Sequence, residues 1–493
     1  MSPRKDHTFV GNHFSKAFPN QVVAAVIVLL GTIGLFYFWR VFTATTLGSF
    51  ASIPLELVIP ALVLPLLAVF VVAHNERLWV YLALLAMMVF VFREDDGKIK
   101  IEELFYVAFV STGIIIWLIK EILVFRRRII HTGFDVLFLS AWVLSNTVAA
   151  LAWWVHGGDP LIFAKEFVIH LTFLLYFPMR KNIQNRKQVL TLIGIVMAMA
   201  FVNSINNIFT YQERVVESAL EFGAVGARVV SYEVLSVAMV MASFALLAYA
   251  RKPVTFLIGL AGTALGIATV VMSLSRGPII STVAGMLVVI ALVPRGKSLK
   301  LVAVGVATVA LNVAALTIIA PTFAESIVDN ITDRLSTLNK LSVDKSLGSR
   351  VDESSTLLES YIPASPILGY GYGVPFYFYD GPTGYSVKAL FIHNGYLYPL
   401  YKYGIPVGLF FLLVFFYPLA RGVISAPSRN AGFNRAMMAG ACGIMVAILM
   451  TNLTSSKFSN HLDTGLFAVI FTLFDYTARV AVRRAEPLPS AET

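Results

Sequence analysis

The stretch VTFLIGLAGTALGIATVVMSLSRGPIISTVAGMLVVIALV, residues 254–293, decides the class of fold. Two apolar runs, each close to the length that crosses a bilayer core of about 30 Å, meet at Ser273, Leu274, Ser275, Arg276, Gly277 and Pro278. No acidic residue lies within one turn of Arg276 in the sequence. A charge at the end of a membrane span is costly to place and either snorkels to the interface or serves a purpose. A guanidinium here points to an anionic ligand, and in a membrane setting to phosphate.

The pattern extends outward through the chain. Hydrophobic residues make up 58% of the 493 and charged residues 13%, against roughly 25% charged in an average soluble domain. Apolar runs of bilayer-spanning length are continuous rather than alternating, which excludes a membrane barrel. The expected fold is an all-α polytopic membrane protein of about 14 transmembrane helices. They fall near residues 21–40, 54–74, 77–92, 103–125, 134–155, 161–179, 188–211, 229–250, 253–274, 277–294, 299–320, 395–419, 434–452 and 463–479. Cys442, the single cysteine, lies inside one of these runs and reads as an inert buried thiol. The basic segment before the first run reads as part of an uncleaved anchor.

Basic residues set the orientation. Alternate connections carry Arg77; Arg126, Arg127 and Arg128; Arg180, Lys181, Arg186 and Lys187; Arg251 and Lys252; Arg295, Lys297 and Lys300; and Arg421, Arg429 and Arg435. Both termini are also basic, so both are expected in the cytoplasm. The net charge of +10 reflects this topology and calls for no nucleic-acid partner. The expected division is a cytoplasmic N-terminus at 1–20, membrane helices 1–11 at 21–320, one large outer loop at 321–393, membrane helices 12–14 at 394–482 and a cytoplasmic tail at 483–493. A loop that long is usually functional. It holds a helical stretch near 352–361, then a turn-rich piece with many glycines, prolines and aromatic residues.

This orientation puts Arg228, Arg276, Arg350 and His393 on the outer side. Paired hydrogen bonds from arginine suit a diphosphate. Histidine suits proton abstraction from a hydroxyl, since its free pKa of about 6.5 lies near working pH. Arginines with one histidine fit a reaction whose leaving group is already activated, needing no metal or redox cofactor. Accessory candidates are Lys165, Glu166 and His170 within the sixth run, and Tyr398 and Lys402 within the twelfth. Glu166 and His170 share a helical face. Lys402 is placed to reach a phosphate or to pair with another span. Asp352 and Glu353 are expected to assist Arg350 or to be solvated, and Asn394 is a candidate helix cap.

Three pieces together resemble the O-antigen ligase and polymerase family of bacterial envelope enzymes. Ser275, Arg276 and Gly277 sit between two spans. Ser349 and Arg350 precede PILGYGYG at 366–373, similar to the family's PLLGxGxG stretch. HNGYL at 393–397 runs into YGIPVGL at 403–409, similar to HNxYL…GxxGL. The likeness covers roughly residues 225–420; the first half of the chain matches in hydropathy alone. It departs after Arg228, where VVSYE replaces a segment often built of Gly, Asn and Pro.

The resemblance implies a C-type glycosyltransferase fold in the bacterial inner membrane, acting at the periplasmic face by inversion and without a metal. The donor it implies is an undecaprenyl-diphosphate-linked glycan. The acceptor would be a second lipid-linked glycan for a polymerase or lipid A–core for a ligase, and the size of the chain favours the polymerase. Arg228 and Arg276 would hold the diphosphate, Arg350 would contact the donor or organise the loop, and His393 would activate the acceptor hydroxyl. A chain-length regulator is a further partner implied for a polymerase. A lipid-linked glycan flippase would also expose arginines to phosphate, but transporters often show internal repeats, and none is clear here. A scaffold of an envelope assembly would not need His393.

Overall fold

The computed structural model describes residues 55–89, 103, 106–220, 232–273, 275–319, 345–426 and 432–485. Each apolar run from 54–74 onward carries a helix within its described residues; the run at 21–40 lies outside the described residues. The helices are α1 (Leu55–His74), α2 (Glu76–Val89), α3 (Val107–Val124), α4 (Gly133–His156), α5 (Pro160–Asn182), α6 (Arg186–Leu220), α7 (Glu233–Tyr249), α8 (Pro253–Met272), α9 (Arg276–Leu292), α10 (Arg295–Ile319), α11 (Lys345–Thr356), α12 (Leu397–Ser425), α13 (Phe433–Thr451) and α14 (His461–Ala485). Among the described residues, 8 helices are long and apolar enough to cross a membrane: α3, α4, α5, α8, α12 and α13, with the Arg186–Thr210 part of α6 and the Arg295–Ala314 part of α10. The chain is a multi-pass helical membrane protein.

Among the described residues, one departure from an all-helical fold lies between α11 and α12. Phe376–Asp380 (β1) and Tyr385–Ala389 (β2) pair antiparallel, with Phe376 opposite Ala389 and Asp380 opposite Tyr385. The strand signal was present in the sequence. Phe376, Tyr377, Phe378 and Tyr379 are aromatic residues that favour strands, and GPTG at 381–384 supplies the turn. Alternate side chains of β1 are buried and exposed, so the hairpin has an inner face built on Phe376 and Phe378.

The chain forms two compact units. The first comprises residues up to Asn182, Val351–Pro418 and Ser456–Ala468. Its central helix is α5, largely apolar and almost wholly buried, with Lys165, Glu166 and His170 among its buried residues. Asp159 caps its start by accepting from Leu161 N at 2.8 Å, and Pro160 takes the first helical position, where no N–H is needed. Around it lie the fully buried Trp79, Trp117 and Trp142 and an aromatic cluster of Phe173, Phe411, Phe415, Phe458 and Phe467. Thr132 and Asp135 form a capping box at the start of α4. Asp135 also accepts from Tyr176 Oη at 2.8 Å and pairs with Arg180, which ties α4 to α5. At the entry to α2, Glu76 bridges Lys120 and Lys181, each at 2.8 Å.

The second unit comprises Ile183–Arg350, Leu419–Ser455 and the residues from Val469 on. Helix α7 is its core and packs against α6, α8, α10 and α13. Helices α9 and α13 touch backbone to backbone: a Cβ built on Gly285 would lie 2.7 Å from Gly443 O. Small residues permit this approach, on which helix association in membranes depends.

Candidate functional site

Within the first unit, α11 carries Glu353 to His393. Two anchors fix the insertion against this helical segment: Gly381 N donates to Asp352 Oδ2 at 2.9 Å, and Tyr377 N donates to Tyr361 Oη at 2.9 Å. The hairpin therefore returns the chain beside α11, and His393 follows four residues after β2. Asn394 then starts α12, its Oδ1 accepting from Tyr396 N at 3.0 Å and Leu397 N at 3.4 Å. The cap expected at Asn394 is the one observed.

Glu353 binds His393 twice. Its Oε1 accepts the backbone N–H of His393 at 2.7 Å, and its Oε2 lies 2.7 Å from the ring Nδ1. The carboxylate side chain is 1% exposed and the histidine side chain 42% exposed. The Phe391 ring packs edge-on at 5.1 Å between centroids. One edge of the imidazole is thus held and the ring still reaches solvent. Glu353 is thus not solvated: it holds the histidine, while Asp352 holds the hairpin turn.

The PILGYGYG stretch is a backbone-packing device. Gly371 has φ +80°, and a Cβ there would lie 2.4 Å from both Ala149 O and Trp153 N. Gly404, at φ +72°, breaks α12, and a Cβ there would lie 2.2 Å from Ile367 O. The loop docks into that break through Tyr370 N to Tyr401 O at 2.8 Å, Gly371 N to Lys402 O at 3.0 Å and Ile405 N to Pro366 O at 2.7 Å. Only glycine accepts such backbone angles at such close approach. Tyr370 stacks on Tyr401 at 4.9 Å beside Tyr361, and burial together with Tyr361 raises the Tyr370 phenol above its ordinary range.

The five accessory candidates all lie buried inside this unit. Lys165 Nζ pairs with Glu103 at 3.0 Å, and Lys402 Nζ with Glu166 Oε1 at 2.8 Å. His170 Nε2 lies 3.1 Å from Tyr403 Oη and 3.4 Å from Tyr398 Oη. Tyr403 continues to Tyr372 at 3.1 Å, whose hydroxyl donates to Asn146 at 3.0 Å. Of the two roles open to Lys402, the arrangement supports pairing with another helix. Tyr372 and Tyr403 stand within the quoted stretches, but nothing there or at Asn146 names their partners, which lie 31 to 233 residues away.

In the second unit, Arg276 opens α9 and is half-buried. Ser275 N donates to Ser273 Oγ at 3.3 Å, shaping the turn, and a Cβ on Gly277 would lie 2.5 Å from Thr454 Oγ1. A guanidinium at a helix N-terminus, where backbone N–H groups also point outward, is a setting suited to an anion. Arg350 lies on α11, half-buried. Arg228 lies outside the described residues.

Residues 261–412 match the family described as O-Antigen ligase. The match runs from within α8 through Arg276, Arg350, the hairpin and His393 into α12. It identifies this part of the chain with the O-antigen ligase/polymerase family, whose work is membrane glycan processing. No curated protein matches the chain.

Proposed function

We propose that the chain is a membrane glycosyltransferase that extends lipid-linked glycans at the periplasmic face of the bacterial inner membrane, using an undecaprenyl-diphosphate-linked glycan as donor. The observation that carries this reading is His393, a solvent-reaching imidazole held at Nδ1 and lying within the family match. In the reaction, an acceptor hydroxyl oxygen attacks the anomeric carbon of the donor sugar. The bond from that carbon to the diphosphate oxygen breaks with inversion. His393 takes the hydroxyl proton, and the lipid diphosphate leaves. Arg276, with Arg228 and Arg350, neutralises the charge growing on the leaving group through paired hydrogen bonds.

The acceptor in this reading is a second lipid-linked repeat. The description of the matched family favours a second reading, transfer to lipid A–core. Reconstitution of the purified protein with a lipid-linked repeat, with and without lipid A–core, separates the two. Ladders from the repeat alone identify a polymerase; product formed only with core identifies a ligase. Movement of the lipid across the bilayer with neither product identifies a transporter and ends the enzymatic reading. His393→Ala should abolish transfer with the protein still inserted; retained transfer overturns the base assignment. Arg276→Lys keeps the charge and loses the fork, so donor affinity should fall; unchanged donor binding removes Arg276 from the diphosphate site.

A further inference from the structure

We infer that Glu353 is a positioning residue that sets the tautomer of His393, leaving the ring's outer nitrogen, Nε2, as the proton acceptor. This rests on the reading of His393 as the base.

The argument is one of hydrogen-bond inventory. A carboxylate offers only acceptors. Glu353 Oε1 is occupied by the backbone N–H of His393 at 2.7 Å, a donor that cannot change its role. Oε2 then faces Nδ1 at 2.7 Å, and an acceptor facing a ring nitrogen requires that nitrogen to carry the proton. With Nδ1 protonated, the neutral ring has its lone pair on Nε2. Because the carboxylate is 1% exposed, water does not compete readily for its oxygens. As Nε2 takes up a proton, the same carboxylate faces the resulting imidazolium and stabilises it.

The geometry makes glutamine at this position a worse substitute than its shape suggests. In Glu353→Gln the backbone N–H of His393 still needs an acceptor, so the amide oxygen turns to it. The amide nitrogen must then face Nδ1, where it donates, and the proton moves to Nε2. The ring keeps its place and presents the wrong nitrogen. Glu353→Ala removes the constraint and lets water serve Nδ1, while Glu353→Asp keeps two acceptor oxygens. A residue needed for packing alone would be best replaced by glutamine; a residue that sets a tautomer would be worst replaced by it.

The test uses the full chain in detergent and in proteoliposomes. Diethyl pyrocarbonate acylates the unprotonated ring nitrogen, and the modified His393 peptide is counted by mass spectrometry without any substrate. The expected rates place wild type, Glu353→Asp and Glu353→Ala together, with Glu353→Gln slower by about tenfold or more, since positioned general bases act through that nitrogen. A glutamine variant that reacts as fast as the others overturns the tautomer assignment, whatever the transfer assay gives. In transfer, kcat of Glu353→Gln should fall by about a hundredfold or more, below both other variants, with the KM for the lipid-linked glycan unchanged within about twofold. If His393→Ala is inactive and glutamine retains more kcat than aspartate, the catalytic use of the tautomer is refuted. If His393→Ala stays active, the base assignment fails, and the modification rates still judge Glu353.

Discussion

Lys402→Met should destabilise the first unit strongly, and adding Glu166→Leu should restore most of the loss. Lys402 Nζ lies 2.8 Å from Glu166 Oε1, and the two side chains are 0% and 1% exposed. At an effective dielectric of about 20, a unit charge pair at that distance attracts by about 6 kcal/mol. Desolvation of the two ions takes back much of this, so the intact pair contributes little net stability. Removing one partner leaves the other charge buried without compensation, at a cost of about 3–5 kcal/mol. Glu166 is poorly placed to absorb the loss, because its side chain is 1% exposed and water does not reach it. In dodecyl maltoside, loss of the monodisperse peak on heating should move down by roughly 10 °C for Lys402→Met, given about 2–4 °C per kcal/mol in a domain of this size. The double variant removes both charges and should return to within a few degrees of wild type, a coupling that the two single variants measure directly. A single variant that melts like wild type but binds donor weakly would refute the pairing argument and return Lys402 to the phosphate. A double variant no better than the single would show that packing, not the orphaned charge, dominates.

Three further outcomes follow from the same geometry. Gly371→Ala should prevent accumulation of folded protein, since its φ of +80° and a contact of 2.4 Å with backbone leave nothing able to shift, whereas Gly381→Ala, meeting only Asp352 Oδ2 at 3.1 Å, should fold; detergent-solubilised yield by size-exclusion chromatography checks both. Glu76 is pushed up by burial but held lower still by Lys120 and Lys181, so its carboxyl falls from 4.5 to about 2. Its stabilising effect is therefore complete above pH 4.5 and lost as pH falls toward 2; with solvent screening it amounts to roughly 1–2 kcal/mol. Melting measured from pH 6 to pH 3 should fall less steeply in Glu76→Gln than in wild type, and parallel curves would refute the bridge. Asn394→Ala should cost about 1 kcal/mol by removing the cap of α12, and because that cap follows His393 directly, kcat should fall with it.

What was legible in the sequence was whatever is local. Helix positions follow from runs of apolar residues, and every described run has its helix, because hydropathy and helical periodicity are properties of neighbours in the chain. The cap at Asn394 was legible for the same reason. The hairpin had a local signal as well, in the alternation through Phe376–Asp380 and the turn after it, but its abundance of glycine and proline hid the strands. Contacts between distant residues left no such trace. Glu353 is 40 residues from His393, Glu166 is 236 from Lys402, and nothing in the spacing of either pair announces the partner. Polar residues inside apolar runs were correctly singled out as unusual, yet their chemistry depends on what faces them. Facing a buried glutamate, Lys402 pairs with another helix; facing a buried glutamate with one oxygen already committed, the His393 ring is held at Nδ1.

The glycines of PILGYGYG make the same distinction from the other side. As a motif they invite comparison with glycine-rich loops that bind phosphate through backbone N–H groups. Here two of those groups are spent on Tyr401 O and Lys402 O. The positions where a Cβ would sit are filled by backbone of α4, of α12 and of the start of α5. The stretch therefore keeps its glycines in order to seat the loop in the break of α12 at Gly404. That break lies nearly three turns beyond Asn394, at the end of the short first segment of α12. The cap and the seated loop together fix both ends of that segment, and His393 immediately precedes it. The motif holds the support on which the histidine stands.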